Sequence, residues 1–368
     1  MKNRKKIWLL GLLPLTGLLI FAARNNRDIA EYVFARGIYR VYAFIMGNIT
    51  GWFPFSLMEI CVIVLPVLAA VIFAVWLVRI VKRKQERKAR IFNGIVNVMC
   101  LISVVLFWSA CFSGVNYYRY TIGELLGLEV RDSGTEELNE LCLWLADRAS
   151  QIRRQITNVD ENDAMVLSFD SFSDMTKEAG SIYNSLGKKY DFFNYPNWRS
   201  KPVFFSHMMS YTEIVGVYCV FTMETNINVD VAQYSIPSTI MHELAHSYGF
   251  MREDEANFIS FIGCISSESP DFRYSGYMHA LIEAGNQLAA KDYGLYRELV
   301  DTYDYGVLVD LYYNSLYWEQ FDDTVIQEVS NTINDTYLKA NNQADGVQSY
   351  GRMVDLLLAW YRQNVGLE

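Results

Sequence analysis

Three apolar runs with no polar period dominate the first third of the chain. They are IWLLGLLPLTGLLIFAA at 7–23, SLMEICVIVLPVLAAVIFAVWLVRIV at 56–81 and IFNGIVNVMCLISVVLFWSACFSG at 91–114. Each is near or above the roughly 18 to 20 residues that cross a bilayer as a helix. In lipid the backbone must satisfy its own hydrogen bonds, so helices are the expected form. Between the first two runs lies DIAEYVFARGIYRVYAFIMG, whose apolar positions recur on one helical face. It reads as a helix lying flat on the membrane, with Arg24, Arg27, Arg36 and Arg40 of that loop at headgroup level.

After residue 114 the pattern changes to that of a globular domain. Residues 135–156 carry Leu138, Leu141, Leu145 and Ile152 on one side, and FSDMTKEAGSIYNSLGKKY has the same helical period. KPVFFS and EIVGVYCVFTMETNINV are rich in β-branched and aromatic residues and read as strands. From HELAH onward the pattern is helical again, ending in YGRMVDLLLAWYRQNV. The expectation is a membrane region at 1–114 followed by an α+β domain at 115–368, mostly helical with a small sheet.

Charge separates the same two regions. Of 32 Lys/Arg and 41 Asp/Glu, residues 1–90 carry 15 and 4, and residues 91–114 carry none. The body is therefore acidic, net −20, which argues against nucleic acid as a partner. MKNRKK before the first run and KRKQERKAR between the second and third place both on the cytoplasmic side. With three spans, the body lies outside the cell membrane, a multi-pass arrangement with the lipid bilayer as its first partner. A cleaved signal peptide ending near Ala22 and Ala23 is the alternative for the first run and leaves the body outside as well. Cys61, Cys100 and Cys111 lie in the apolar runs, while Cys142, Cys219 and Cys264 are scattered through the body without CxxC spacing, and buried free thiols are the expected state there.

The chemistry concentrates at STIMHELAHSYGFMREDEANF, residues 238–258. Ser235 and Pro237 are start signals for a helix and Gly249 is a stop. Between them His242 and His246 stand one turn apart on one face, so both imidazoles can reach one Zn²⁺. Glu243 points beside that ion and can take a proton from water there. The alternative is an ordinary amphipathic helix, but this register holds half of the chain's four histidines.

A catalytic zinc site needs a third protein ligand, and Glu253, Asp254 and Glu255 are the candidates. In a helix over REDEANFISFIGC, Glu253 shares a small face with Ala256, Asn257, Ser260, Gly263 and Cys264. That face can approach the HELAH helix closely, which favours Glu253, with Asn257 one turn later as a supporting group. Glu255 shares its face with Phe258, Ile259 and Ile262 and remains the alternative. All three acids also suit a helix N-terminus on charge grounds alone.

HELAH followed by EDEANF resembles the glutamate-ligand zincins, the gluzincins. In several of their families the third ligand opens an ExxAD or ExxAN segment, here Glu253 to Asn257. The longer string HELAHSYGFMREDEANF after three N-terminal runs resembles an uncharacterised bacterial membrane family, a domain of unknown function, over most of the chain. The spacing from His246 to Glu253 is shorter than in most gluzincins. The metzincin pattern HExxHxxGxxH is close, but Arg252 stands at its third histidine and cannot ligate zinc.

The resemblance implies a zincin-like fold and a membrane-anchored zinc metallopeptidase acting on a peptide or protein substrate outside the membrane. Glu243 is then the general base, and His242, His246 and Glu253 hold the metal. Substrates of such enzymes add as a strand to an exposed edge, and VYCVFTMETNINV is the candidate edge. His207, His279, Tyr274 and Tyr277 are candidate donors to an oxyanion, and Tyr350 and Arg352 are candidate cleft residues. The rival expectation is a membrane-tethered binding or sensor protein that holds metal without turnover; an intact Glu243 counts against it.

Overall fold

The computed structural model describes residues 6–196, 198–322 and 351–366, together with Gln327, Ser330, Thr332 and Thr336. Tyr350 and the first five residues of MKNRKK lie outside the described residues. The chain divides into two compact units, Met1–Arg119 with Val220–Thr222, and Tyr120–Cys219 with Met223–Glu368.

In the first unit a 3₁₀ turn, Ile7–Gly11, runs into α1, Leu12–Asn25. A π-helical stretch, Ile29–Ile38, continues as α2, Tyr39–Thr50. Then come α3, Leu57–Lys82, and α4, Arg87–Phe112. Three segments, Ile7–Asn25, Leu57–Lys82 and Lys84–Phe112, are long and apolar enough to cross a membrane. The third begins earlier than the hydropathy pattern indicates, because the basic stretch 84–90 is already helical and Glu86 pairs with Arg90. Ser56 caps α3 by accepting the Glu59 amide at 2.9 Å. α3 is apolar on every side and its most apolar window has no buried residue, as suits a helix whose surroundings are hydrocarbon.

α1 and α4 pack parallel: the Cys100 thiol donates to the Lys6 carbonyl at one end, and Ile20 packs against Gly114 at the other. A buried ion cluster closes that second end. The Glu31 carboxylate accepts from Arg119 at 2.8 and 2.9 Å and from Arg36 at 2.7 Å. Arg36 is thus held by a carboxylate five residues away. A buried charge is tolerated only with such a partner.

The second unit carries α5, Ile122–Leu126, α6, Thr135–Arg153, and α7, Phe172–Lys189, before a small sheet. Its strands are β1, Lys201–Pro202, β2, Gly216–Cys219, and β3, Glu224–Ile227, in the order β1-β3-β2. β1 runs parallel to β3, and β2 runs antiparallel with Tyr218 opposite Thr225. α8, Ser206–Ser210, lies between β1 and β2. The expected strand at KPVFFS shrinks to two residues, because Phe204 and Phe205 turn outward into solvent. The expected long strand after residue 213 is instead a hairpin, reversed at Met223 with φ 56°.

The helices after the sheet are α9, Ile236–Ser247, α10, Glu253–Ile265, α11, Pro270–Lys291, α12, Tyr293–Val300, α13, Tyr305–Glu319, and α14, Gly351–Asn364. α9 is the central element, with nearly every residue buried. α10 returns antiparallel along it, locked where Ser260 donates to the Ser238 carbonyl at 2.6 Å. The Met241 methyl fills the space that a Cβ at Gly263 would occupy. α11 then runs beside α9, where the Ser275 hydroxyl accepts the Ser238 amide at 2.9 Å. Asp310 of α13 ties this core together, accepting from Arg153 at 2.6 Å, Tyr274 at 2.6 Å and the Met165 amide at 2.7 Å.

Candidate metal centre

α9 opens with Pro237 in its first turn, where the missing amide costs nothing. Ser235 does not cap it by side chain; that hydroxyl donates to the Ala232 carbonyl. Gly249, at φ 83°, ends the helix in the left-handed region and turns the chain back. The turn brings the Phe250 carbonyl to His246 Nδ1 at 2.7 Å. A carbonyl only accepts, so Nδ1 carries the proton and the Nε2 lone pair faces the opposite way. This is the support that an imidazole ligand ordinarily receives from its neighbours.

That lone pair faces His242 and Glu253. His246 Nε2 is 3.1 Å from His242 Nε2 and 3.6 Å from Glu253 Oε1, and His242 Nε2 is 3.2 Å from Glu253 Oε2. The three donors lie within 4.8 Å of one another. Donors each about 2.0–2.1 Å from a tetrahedral ion stand roughly 3.3–3.4 Å apart. The donor set therefore fits a tetrahedral metal ion. His246 is buried, whereas His242 and Glu253 keep partial exposure, so the cluster has one accessible side.

The electrostatics describe the same cluster. Burial opposes charge on His246, but Glu253 beside it outweighs burial and raises the imidazole to about 9. Burial likewise opposes charge on Glu253, and the two histidines overcome it and hold the carboxylate well below its usual range. Without a cation, a proton on His246 balances the Glu253 charge. A divalent ion would displace that proton.

Glu243 is buried beneath the cluster and packs against β2. Its carboxylate accepts the Tyr218 amide and lies against Gly216, where a Cβ would stand 2.5 Å from Oε1 and 2.7 Å from Cγ. Burial pushes its pKa up, His242 and His246 pull it down, and Glu253 adds to the rise. A carboxylate so placed is closer to accepting a proton near neutrality than a solvated one. Neither Gly216 nor Tyr218, whose ring centroid is 6.3 Å from that of His246, stood out in the sequence. The only available signal was the GVY run on the strand before HELAH.

The other candidates separate clearly. Glu255 accepts the Ile122 amide at 3.0 Å and Arg252 Nη1 at 2.8 Å, which commits it to the N-terminus of α5 rather than to the cluster. Asp254 is buried; burial, with Glu255 beside it, raises it to about 6, against the pull of Arg352 whose Nε is 3.5 Å away. Asn257 is buried one turn beyond Glu253, with its Nδ2 unpartnered among the described residues. His279 lies on α11, one turn after the Ser275 contact, at the level of His242. Its Nε2 is buried and unpartnered among the described residues, and burial, with the charge of His242, lowers the ring to about 4.

Two expected oxyanion donors belong to the core. Tyr274 is fully buried and donates to Asp310, and Tyr277 packs edge-on to Trp144 and Phe261. His207 pairs with Asp230 at 2.7 Å on the surface and packs on Tyr211 and Phe321. All three cysteines of the body are free thiols; Cys142 and Cys264 are buried as expected, with burial raising Cys142 to about 12, whereas Cys219 on β2 is only partly buried.

A family model described as "Protein of unknown function (DUF3810)" matches residues 34–358. The chain belongs to DUF3810. The match spans both units, and it takes in HELAH, EDEANF and the first turns of α14. No curated protein and no solved structure matches this DUF3810 chain.

Proposed function

We propose that the chain is a membrane-anchored zinc metallopeptidase of zincin-like fold, with residues from about 115 onward outside the cytoplasmic membrane. The observation that carries this reading is the convergence of His242, His246 and Glu253 at tetrahedral spacing, with Glu243 beside them at β2. Zinc held by these three residues would polarise a scissile carbonyl and acidify water near it.

The chain's own residues do the rest. Phe250 fixes the His246 tautomer, so the ring presents a lone pair without rearranging. The Tyr218 amide and the Gly216 backbone hold Glu243 in one place. Glu243 accepts a proton from the attacking water and delivers it to the leaving amine. β2 pairs only with β3 among the described residues, and its other edge can take an extended peptide by strand addition. A metal-holding sensor would not need a buried carboxylate anchored at this edge, which favours turnover over simple binding.

The test is turnover of a peptide library by the full chain in nanodiscs. Glu243→Gln should lower turnover by about 10²–10⁴-fold while metal content stays at the wild-type level. Equal turnover in the two proteins would overturn the mechanism.

A further inference from the structure

The helical rod between the first two apolar segments has a surface that the peptidase reading does not use. Residues 27–50 are helical throughout, and a rod of that length measures roughly 35 Å. That is long enough to cross a bilayer, yet its packing contacts fall on the last turns of α4 and the turn that follows. Ala30 packs with Ala23 and Val115, at the end of the α1/α4 pair marked by Ile20 and Gly114. Twelve residues along, Tyr42 stacks on Phe112 at 3.9 Å and meets Trp108 edge-on at 5.5 Å, in the last turns of α4. A rod crossing the membrane alongside α4 would pass on toward Cys100 and Lys6 over that distance. This one stays across the end where α4 stops.

Its two faces differ in kind. The buried face holds Ala30, Glu31, Ala35, Tyr39, Ala43 and Gly47, with the Glu31 charge neutralised by Arg36 and Arg119. The outward face is a stripe of Ile38, Val41, Phe44, Ile45 and Ile49, each between 43% and 60% exposed, followed by Trp52 at 87%. The spacing of three and four residues makes a single apolar ridge. Such a ridge on a rod carrying arginines elsewhere is the pattern of a helix seated in a membrane interface. Asn25 ends one apolar segment and Leu57 begins the next, so the rod is tethered at both ends to elements of hydrocarbon character.

We propose that residues 27–50 lie in the plane of one leaflet, with the Ile38–Ile49 ridge in the acyl boundary and lipid as its occupant. This rests on the reading of α1, α3 and α4 as membrane spans and is independent of the metal site. The rod is then a fourth membrane-embedded element that does not cross, and Asn25 and Ser56 emerge on the same face.

The test uses the full chain in vesicles of phosphatidylethanolamine and phosphatidylglycerol. A nitroxide is introduced through an unnatural amino acid at position 38, 41, 45 or 49, and at 67 within α3 as a control. Collision with oxygen and with a water-soluble nickel chelate reports depth. The expected result is oxygen-favoured collision at all four rod positions, at one shallow depth, several-fold above an Asp28 site and well short of position 67. A depth that increases to the bilayer centre and decreases again along the rod would make it a span and overturn the proposal. Nickel access throughout would place it in water, and protection from both reagents would mean that protein covers the ridge; either overturns it. A water-exposed position 67 would instead refute the span reading itself.

Discussion

The Glu243 carboxylate occupies the space that a side chain at Gly216 would need, with Oε1 2.5 Å from the position of a Cβ. The proposed general base and the edge strand are therefore fitted to each other, and only glycine permits the fit. Gly216→Ala must displace Glu243 or push β2 away. A shift of about 1 Å at a catalytic group costs on the order of 10²-fold in rate. The expected outcome is a loss of that size in kcat with metal content unchanged. A fully active Gly216→Ala protein would show that Glu243 is not held by this contact.

The His246–Glu253 pair sets a pH dependence. The folded imidazole titrates near 9, above its ordinary 6.5, so the stability it contributes is complete below 6.5 and is lost as pH rises through about 9. Glu253 is depressed, so its contribution is present above its ordinary value of 4.5 and is lost as pH falls through its lower folded pKa. On these two groups the metal-free chain is most stable between about 4.5 and 6.5. Zinc added at pH 7.5 should release about one proton from His246. Calorimetry in buffers of different ionisation enthalpy measures this, and zero proton release would contradict the pairing.

Glu255 and Glu253 stand two residues apart and should fail in different ways. Glu255→Ala strands the Ile122 amide and removes one partner of Arg252, and is expected to cost about 1–3 kcal/mol of stability while leaving metal stoichiometry intact. Glu253→Ala should instead lose metal. Thermal melts and metal analysis of the same preparations separate the two.

Tyr274→Phe removes one hydrogen bond from Asp310, which keeps Arg153 and the Met165 amide. About 1.5–3 kcal/mol of stability should be lost, since the bond is to a charged group. Turnover at permissive temperature should match the wild type. A selective loss of turnover without loss of stability would return Tyr274 to the site.

What could be read from the sequence follows from the range of each interaction. The register of His242 and His246 is local, and so is the small face of α10 that presents Glu253. Both depend only on helical period, and the structure brings these residues together. The partner of Glu255 is an amide 133 residues earlier in the chain, and the partner of Tyr274 lies 36 residues later. Neither leaves a periodic trace. The strands were overestimated because Phe204 and Phe205 have strand composition but face solvent, and burial is not a local property. Gly216 resembled any strand glycine until the carboxylate packed against it came into view.

The most direct test is the metal content of the full chain purified in detergent, for wild type, His246→Ala, Glu253→Gln and Glu255→Gln. About one zinc per chain is expected in the wild type and in Glu255→Gln, with loss in His246→Ala and Glu253→Gln. A folded wild-type chain that takes up no zinc, or one whose zinc survives loss of both His246 and Glu253, would contradict the metal centre and with it the peptidase reading.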